Sequence, residues 1–294
     1  MNSFKEKLIR QIFRAASYAS LFFLFGIMFV LFKESLTALG EINIFNFLLG
    51  KDWYPTYEPP DYGILPLISG SLAVSFVAMF ICVPLGLGTA LYMHEIACDR
   101  QRKFLKPAIE ILSAVPSIIF GFFGLVILAP FLQKNFNLPT GQCLLTASIM
   151  LGVMTIPIIT SLSEDALSFV PRSFKEASYA LGANRWQTLL RVTIPAAASG
   201  IITSIIMGMG RLMGETMIVL MVAGGAAVIP NSLFAPVRPM TSSIAAEMGE
   251  AAQGSLHFSA LFEIGLLLFI ITFVLNIIAE IISRRYRLKL GQGR

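Results

Sequence analysis

The feature that most constrains this chain is a series of long stretches without a single Asp, Glu, Lys or Arg. They cover residues 15–32, 62–93, 111–133, 135–163, 192–210, 216–237 and 264–279. A helix that crosses a hydrocarbon layer needs about 20 mostly apolar residues, so most of these runs qualify alone or with a snorkelling end. The whole chain agrees, being 56% hydrophobic and 13% charged over 294 residues, where soluble domains carry roughly a quarter of charged residues. The runs on either side of Arg211 and Glu215 read as one helix plus its exit loop. The expected fold is therefore an all-α integral membrane domain over residues 1–294, with six helices near 15–36, 66–93, 108–132, 144–163, 197–224 and 259–282.

Lys5, Lys7, Arg10 and Arg14 resemble the charged start of a secretory signal. However, the apolar run is long and "FKESLTALGE" after it offers no small-x-small cleavage site, so a retained helix is expected.

The basic residues give an orientation. Seventeen of the 22 lie in the N-terminal tail (Lys5, Lys7, Arg10, Arg14), the loop 94–107 (Arg100, Arg102, Lys103, Lys106), the loop 164–196 (Arg172, Lys175, Arg185, Arg191) and the C-terminal tail (Arg284, Arg285, Arg287, Lys289, Arg294). The alternate loops hold only Lys33, Lys51, Lys134 and Arg238. The positive-inside rule then places both termini in the cytoplasm. The formal charge of +5 calls for no nucleic acid, since anionic lipid and topology account for where these residues sit. Cys82, Cys98 and Cys143 fall at three different depths, so no disulfide is expected. His94 and His257 lie at opposite surfaces and form no metal cluster. Pro84, Pro116 and Pro157 are expected kinks in helices two, three and four.

Two loops carry signals. In "NFLLGKDWYPTYEPPDYG", Trp53, Tyr54 and Tyr57 fit an interfacial segment among lipid head groups. The loop 164–196 is more organised. Apolar residues recur at helical spacing (Phe174, Ala177, Leu181, then Trp186, Leu189, Leu190), Gly182 fits the position just past a helix end, and Asn184 with Gln187 fits a capping box. Two short helices meeting at a bend are expected. They would either lie on lipid heads or serve as a peg for a partner.

The same loop carries a resemblance. Glu176, Ala177, Gly182 and Pro195 stand at the spacing of the Glu-Ala-Ala…Gly…Ile-x-Leu-Pro motif of bacterial ABC-importer permeases, with Ser178, Val192 and Ile194 as mild departures. "GETMIVLMVAGG", "MTSSIAAEMGEA", "VPSIIFGFFGL" and "SLSEDAL" are similar to the PstC type of phosphate-importer permease. The resemblance covers about residues 45–285. It implies a type I ABC importer permease fold and a loop 164–196 that couples to an ATPase through Glu176, Ala177, Gly182 and Pro195. It also implies a bacterial cytoplasmic-membrane complex with a PstA-type permease, two PstB-type ATP-binding subunits and a PstS-type phosphate-binding protein. Independently, no G-x-x-x-x-G-K-[ST] loop occurs, so ATP would be bound by another chain and no cofactor is expected in this one.

An intramembrane charge costs roughly 2.5–3.5 kcal/mol, so Arg211 and Glu215 are singled out. On one continuous helix they would stand at i and i+4 on one face, with Gly208, Gly210 and Gly214 admitting a close neighbour. The plain reading is a salt bridge that locks two helices. The functional reading is an anion pathway in which the Arg211 fork meets phosphate oxygens, Glu215 accepts the proton that hydrogen phosphate keeps and sulfate lacks, and Thr216 adds a hydroxyl. Other oxyanions (sulfate, tungstate or molybdate), a secondary transporter, and a membrane scaffold in phosphate signalling stand as alternatives. No inverted repeat supports the secondary transporter.

Overall fold

The first apolar run forms α1 (Ser3–Glu41), longer than expected because nothing between Ala15 and Phe32 or in its charged flanks breaks a helix. The protein is described by a computed structural model over residues 3–289; Arg294 of the basic tail lies outside them. A short α2 (Ile44–Leu49), capped by the Asn43 side chain on Phe45 N–H, leads into a hairpin of β1 (Trp53–Tyr54) and β2 (Asp61–Tyr62). The second span is α3 (Leu65–Leu91), which holds Pro84 in its interior and ends in a π turn, Tyr92–Ile96.

The third span departs from expectation. Residues 99–113 form a separate amphipathic helix, α4 (Asp99–Ser113), with no buried residue. The chain then turns at Ala114–Pro116, and the span proper runs through α5 (Ser117–Phe123), a π turn at Gly124–Leu128 and α6 (Ala129–Phe136). The expected helix 108–132 is thus divided. Pro116 sits before the first helical residue, where its missing N–H costs nothing, instead of kinking a helix, and Glu110 lies outside the span.

The fourth span, α7 (Leu144–Ser168), is the buried centre of the bundle and carries Pro157 internally. After it come α8 (Arg172–Ala180) and α9 (Arg185–Thr188), a π turn at Leu189–Thr193, and α10 (Ile194–Met213). The fifth span then breaks at Gly214–Thr216 and resumes as α11 (Met217–Val222). A loop returns to α12 (Met240–Glu247), and α13 (Leu256–Lys289) closes the chain. Among the described residues, six helical segments are long and apolar enough to cross a membrane: Glu6–Leu36, Leu65–Ile96, Ser117–Asn135, Leu144–Ser168, Arg185–Met213 and Leu256–Arg284. An even number of spans puts the start of α1 and the end of α13 on one side, here the near side; the hairpin and α12 lie on the far side.

The core forms where α3, α7 and the broken fifth span meet, around Val74, Ala78, Leu151, Met154, Leu212 and Ile218. Small residues allow the close approach: a Cβ at Gly86 would stand 2.9 Å from Ile159. Hydroxyls bind the helices across that contact, with Ser148 Oγ donating to Val74 O at 3.2 Å and Thr160 Oγ1 to Gly86 O at 3.1 Å. Ser163 and Ser204 join α7 to α10 at 2.7 Å. In a medium where helix association gains no hydrophobic term, such packing and hydrogen bonds supply it.

Candidate functional site: a broken fifth span and a helical elbow

Arg211 occupies the last turn of α10, and the next residues that leave the helix are Gly214, Glu215 and Thr216. Glu215 is therefore not one turn further along a continuous helix, and the expected Arg211–Glu215 ion pair is not made. Gly214, Glu215 and Thr216 interrupt the apolar residues between Met213 and Met217, but a continuous helix can carry all three, so the sequence alone does not fix the break. Locally it is well satisfied. Glu215 Oε1 accepts the Met217 N–H at 3.0 Å, which caps the new helix, and Glu215 O accepts the Thr241 hydroxyl at 2.8 Å. Thr216 is half-buried at the first position before α11 and makes no side-chain cap. Of the three glycines, Gly208 packs tightly, its would-be Cβ 3.1 Å from Ile159, whereas Gly210 and Gly214 are exposed.

Arg211 is exposed, on a face with Thr203, Met207, Gly210 and Gly214. Among the described residues it has no ion-pair partner. The space enclosed beside Glu215, between Ser71, Ser75, Leu151 and Thr241, is about 10 Å³, barely one water. One chain alone encloses no room for an anion there; the open surface is the Arg211 face.

At the near side, α8 and α9 form the expected elbow. Gly182 has φ +83°, its N–H donates to Tyr179 O at 2.9 Å, and Ala183 N–H to Ser178 O at 3.2 Å, the paired bonds of a Schellman ending. Asn184 and Gln187 cap each other's backbone N–H, both at 2.9 Å. Ser178, read from sequence as a mild departure from the motif, is buried and shares a 2.9 Å hydrogen bond with the Thr188 hydroxyl, which ties α8 to α9. Glu176 and Ala177 are exposed on α8, and Pro195 sits in the first turn of α10. Phe174, Tyr179, Leu181, Trp186 and Leu190 are all exposed, with Leu181 at 89%. Among the described residues nothing covers this apolar face of the elbow.

The sequence reading missed what holds the elbow. Lys175 of α8 donates to Glu95 Oε1 at 2.5 Å and to His94 Nε2 at 2.9 Å, both in the π turn after α3, while Arg185 of α9 reaches Glu95 Oε2 at 3.6 Å. Beside it, the fully buried Glu164 of α7 pairs with Arg102, and with Lys106 at 2.8 Å, both from α4. Lys106 also binds Asp165 at 2.8 Å. Hydrogen bonds to Asp165 and then Glu164 hold the Lys106 ammonium above the ordinary lysine range. A raised lysine keeps its contribution at every pH below the ordinary value and loses it only as pH rises through the raised one, so this tie is intact at neutrality. The available signal was Glu95, Glu164 and Asp165 at the ends of apolar runs, where a carboxylate needs a partner.

On the far side a second expectation fails. Trp53 is 2% exposed instead of lying among lipid heads. Its indole N–H donates to both oxygens of Glu247 at 3.1 Å, and Arg238 and His257 bind the same carboxylate at 2.6 and 2.8 Å. Tyr54 and Tyr57 remain exposed and stack at 5.0 Å.

A six-span helical bundle with a capped elbow that leaves its apolar face open at one end has the architecture of a transporter permease subunit. The chain belongs to the family of binding-protein-dependent transport system inner membrane components, whose model matches residues 82–288. It is 40% identical to the probable ABC transporter permease protein YqgH of Bacillus subtilis, over 84% of this chain and 80% of that one. It is 37% identical to the phosphate transport system permease protein PstC of Mesorhizobium japonicum, over 95% of this chain and 90% of that one. Among solved structures, a bacterial alginate ABC transporter in complex with its periplasmic protein matches at a TM-score of 0.69 and 14% identity, covering 96% of this chain and 95% of that one. The MetNI methionine ABC transporter in an inward-facing form matches at 0.61 and 22%, covering 76% and 95%. Those likenesses establish the type I importer permease fold.

Proposed function

We propose that this chain is the membrane-spanning permease subunit of an ATP-driven inorganic phosphate importer. It forms the pathway with a PstA-type permease, takes its energy from two PstB-type ATPase subunits and receives substrate from a PstS-type binding protein. The observation that carries the reading is Arg211, a guanidinium exposed on a membrane span with no ion-pair partner among the described residues. Lipid excludes such a group, so its face meets a second chain or water, and a phosphate passing there completes its hydrogen bonds. Glu215 supplies the discrimination. Its Oε1 is engaged by the backbone, and its Oε2 is the oxygen that takes the proton of hydrogen phosphate. The names of the PstC relatives support the same substrate over sulfate, tungstate or molybdate. Glu176, Ala177 and Gly182 present the elbow to the ATPase groove, and Pro195 starts the span that carries Arg211.

The test is uptake of radiolabelled phosphate into vesicles that hold the complete complex. ATP-dependent uptake is expected, unchanged by a tenfold excess of sulfate. Uptake of sulfate in preference to phosphate overturns the substrate.

The basic near side is proposed to face the cytoplasm, with both termini there. In a Cys98→Ser background, since Cys98 is exposed, single cysteines in place of Gln187 and Tyr57, both exposed, separate the two sides. Position 187 is expected to react with an impermeant maleimide only from the cytoplasmic face and position 57 only from outside. Labelling of 187 from outside reverses the orientation.

A further inference from the structure

The half-buried carboxylate of Glu247 is in an odd place for a helix. It ends α12, where the helix dipole disfavours negative charge, so helix stability does not account for it. Three elements converge on it instead: Trp53 of the hairpin, Arg238 of the returning loop and His257 of α13. Side-chain exposures of 13% for Glu247, 24% for Arg238 and 14% for His257 leave the group largely out of water.

The other end of α12 is also pinned. Met240 N–H donates to Ser71 Oγ of α3 at 2.8 Å, and Thr241 Oγ1 donates to Glu215 O at 2.8 Å. Between the two ends lie eight residues of helix, about 12 Å of rod, with Thr241, Ser242 and Ser243 buried. Arg238 adds a second connection, because Pro239 alone separates it from α12, and Val237 N–H donates to Ala223 O just past α11 at 2.8 Å. The far-side surface and the broken fifth span are therefore joined by one rigid element with a hydrogen bond at each end.

We propose that Glu247 is a positioning residue of transport. It clamps α12 so that the Thr241 hydroxyl holds the chain at Glu215, and a protein that docks on the outer hairpin and α12 acts on the Arg211–Glu215 region by shifting this clamp. The proposal rests on the importer reading above and assigns it the route from docking to gate.

The experiment uses the full complex in proteoliposomes and measures binding-protein-stimulated ATP hydrolysis against binding-protein concentration. Glu247→Gln keeps the shape and an acceptor but loses the charge. Thr241→Val keeps the volume, loses the hydroxyl and leaves the Glu247 cluster untouched. Each is expected to lower the maximal stimulated rate about tenfold, the upper end of what one neutral hydrogen bond contributes, with unstimulated hydrolysis and the half-saturating concentration unchanged. Thr241→Ser is expected to restore the rate. The double variant is expected to be no worse than either single one, since both break one path. Wild-type stimulation in Thr241→Val, multiplied losses in the double variant, or a loss confined to the half-saturating concentration overturns the clamp. Should Glu247→Gln fail to assemble, the Thr241 pair decides alone. A wild-type complex stimulated by a sulfate-loaded and not a phosphate-loaded binding protein overturns the substrate reading, and the same variants then decide the clamp with sulfate.

Discussion

Replacing Arg211 with leucine is expected to lower phosphate uptake about a hundredfold or more while the complex still inserts and assembles. A charge-assisted hydrogen bond contributes roughly 1.5–3 kcal/mol, and a guanidinium fork that meets two phosphate oxygens loses two of them. The structure makes this single change informative, because Arg211 has no ion-pair partner among the described residues and its removal strands no opposite charge. It also takes a cation out of a membrane span, a change that favours insertion by roughly 2.5–3.5 kcal/mol. A purely structural role thus predicts an equal or better yield with uptake intact. Arg211→Lys keeps the charge without the planar fork and is expected to fall between the two. Radiolabelled phosphate uptake, with co-purification of the partner subunits as the control for assembly, reads all three. Near-normal uptake by the leucine variant removes Arg211 from the pathway.

The second large effect is expected at Gly182. Nothing lies within 4 Å of a Cβ built there, so a side chain meets no obstacle. The whole penalty is conformational. At φ +83° an L-residue costs roughly 1–2 kcal/mol, and a β-branched one is a clear outlier. Gly182→Val escapes that cost by giving up the bonds from Gly182 and Ala183 to Tyr179 and Ser178, which turns Leu181 and Trp186 away from their present direction. Substrate-stimulated ATP hydrolysis by the complex is expected to fall at least about tenfold, with the permease inserted in normal amount. Asparagine tolerates the left-handed region, so Gly182→Asn is expected to retain most of the rate. Equal losses in the two variants point to lost contact area, and no loss in Gly182→Val removes the elbow from coupling.

Much of this architecture is legible in the residues, and the exceptions have physical reasons. The spans follow from the uncharged runs because hydrocarbon imposes one rule on every backbone group. The elbow follows from Gly182 and the Asn184–Gln187 box because capping is local, decided within six residues. The breaks at Ala114–Pro116 and Gly214–Thr216 are only half legible: Pro116 marks a kink but not that the chain turns there, and Gly214, Glu215 and Thr216 fit a continuous helix as well as a broken one. Thr241, which receives the break at Glu215, is 26 residues away. The two ionic clusters fail for the same reason at longer range. Glu164 finds Arg102 across 62 residues, and Glu247 finds Trp53 across 194. A reading by loops assigned those basic residues to topology and Trp53 to the lipid surface, because their partners lie on other elements of the fold.

The helix α1 buries none of its central apolar stretch inside the chain, and it packs chiefly on α13, where Leu31 touches the Gly265 position. The first described span therefore has the last described one as its main neighbour, and that flank of the bundle closes only through α13. A chain cut before Leu256 is expected to keep the core that α3, α7 and the broken fifth span share, while α1 loses the surface it packs on.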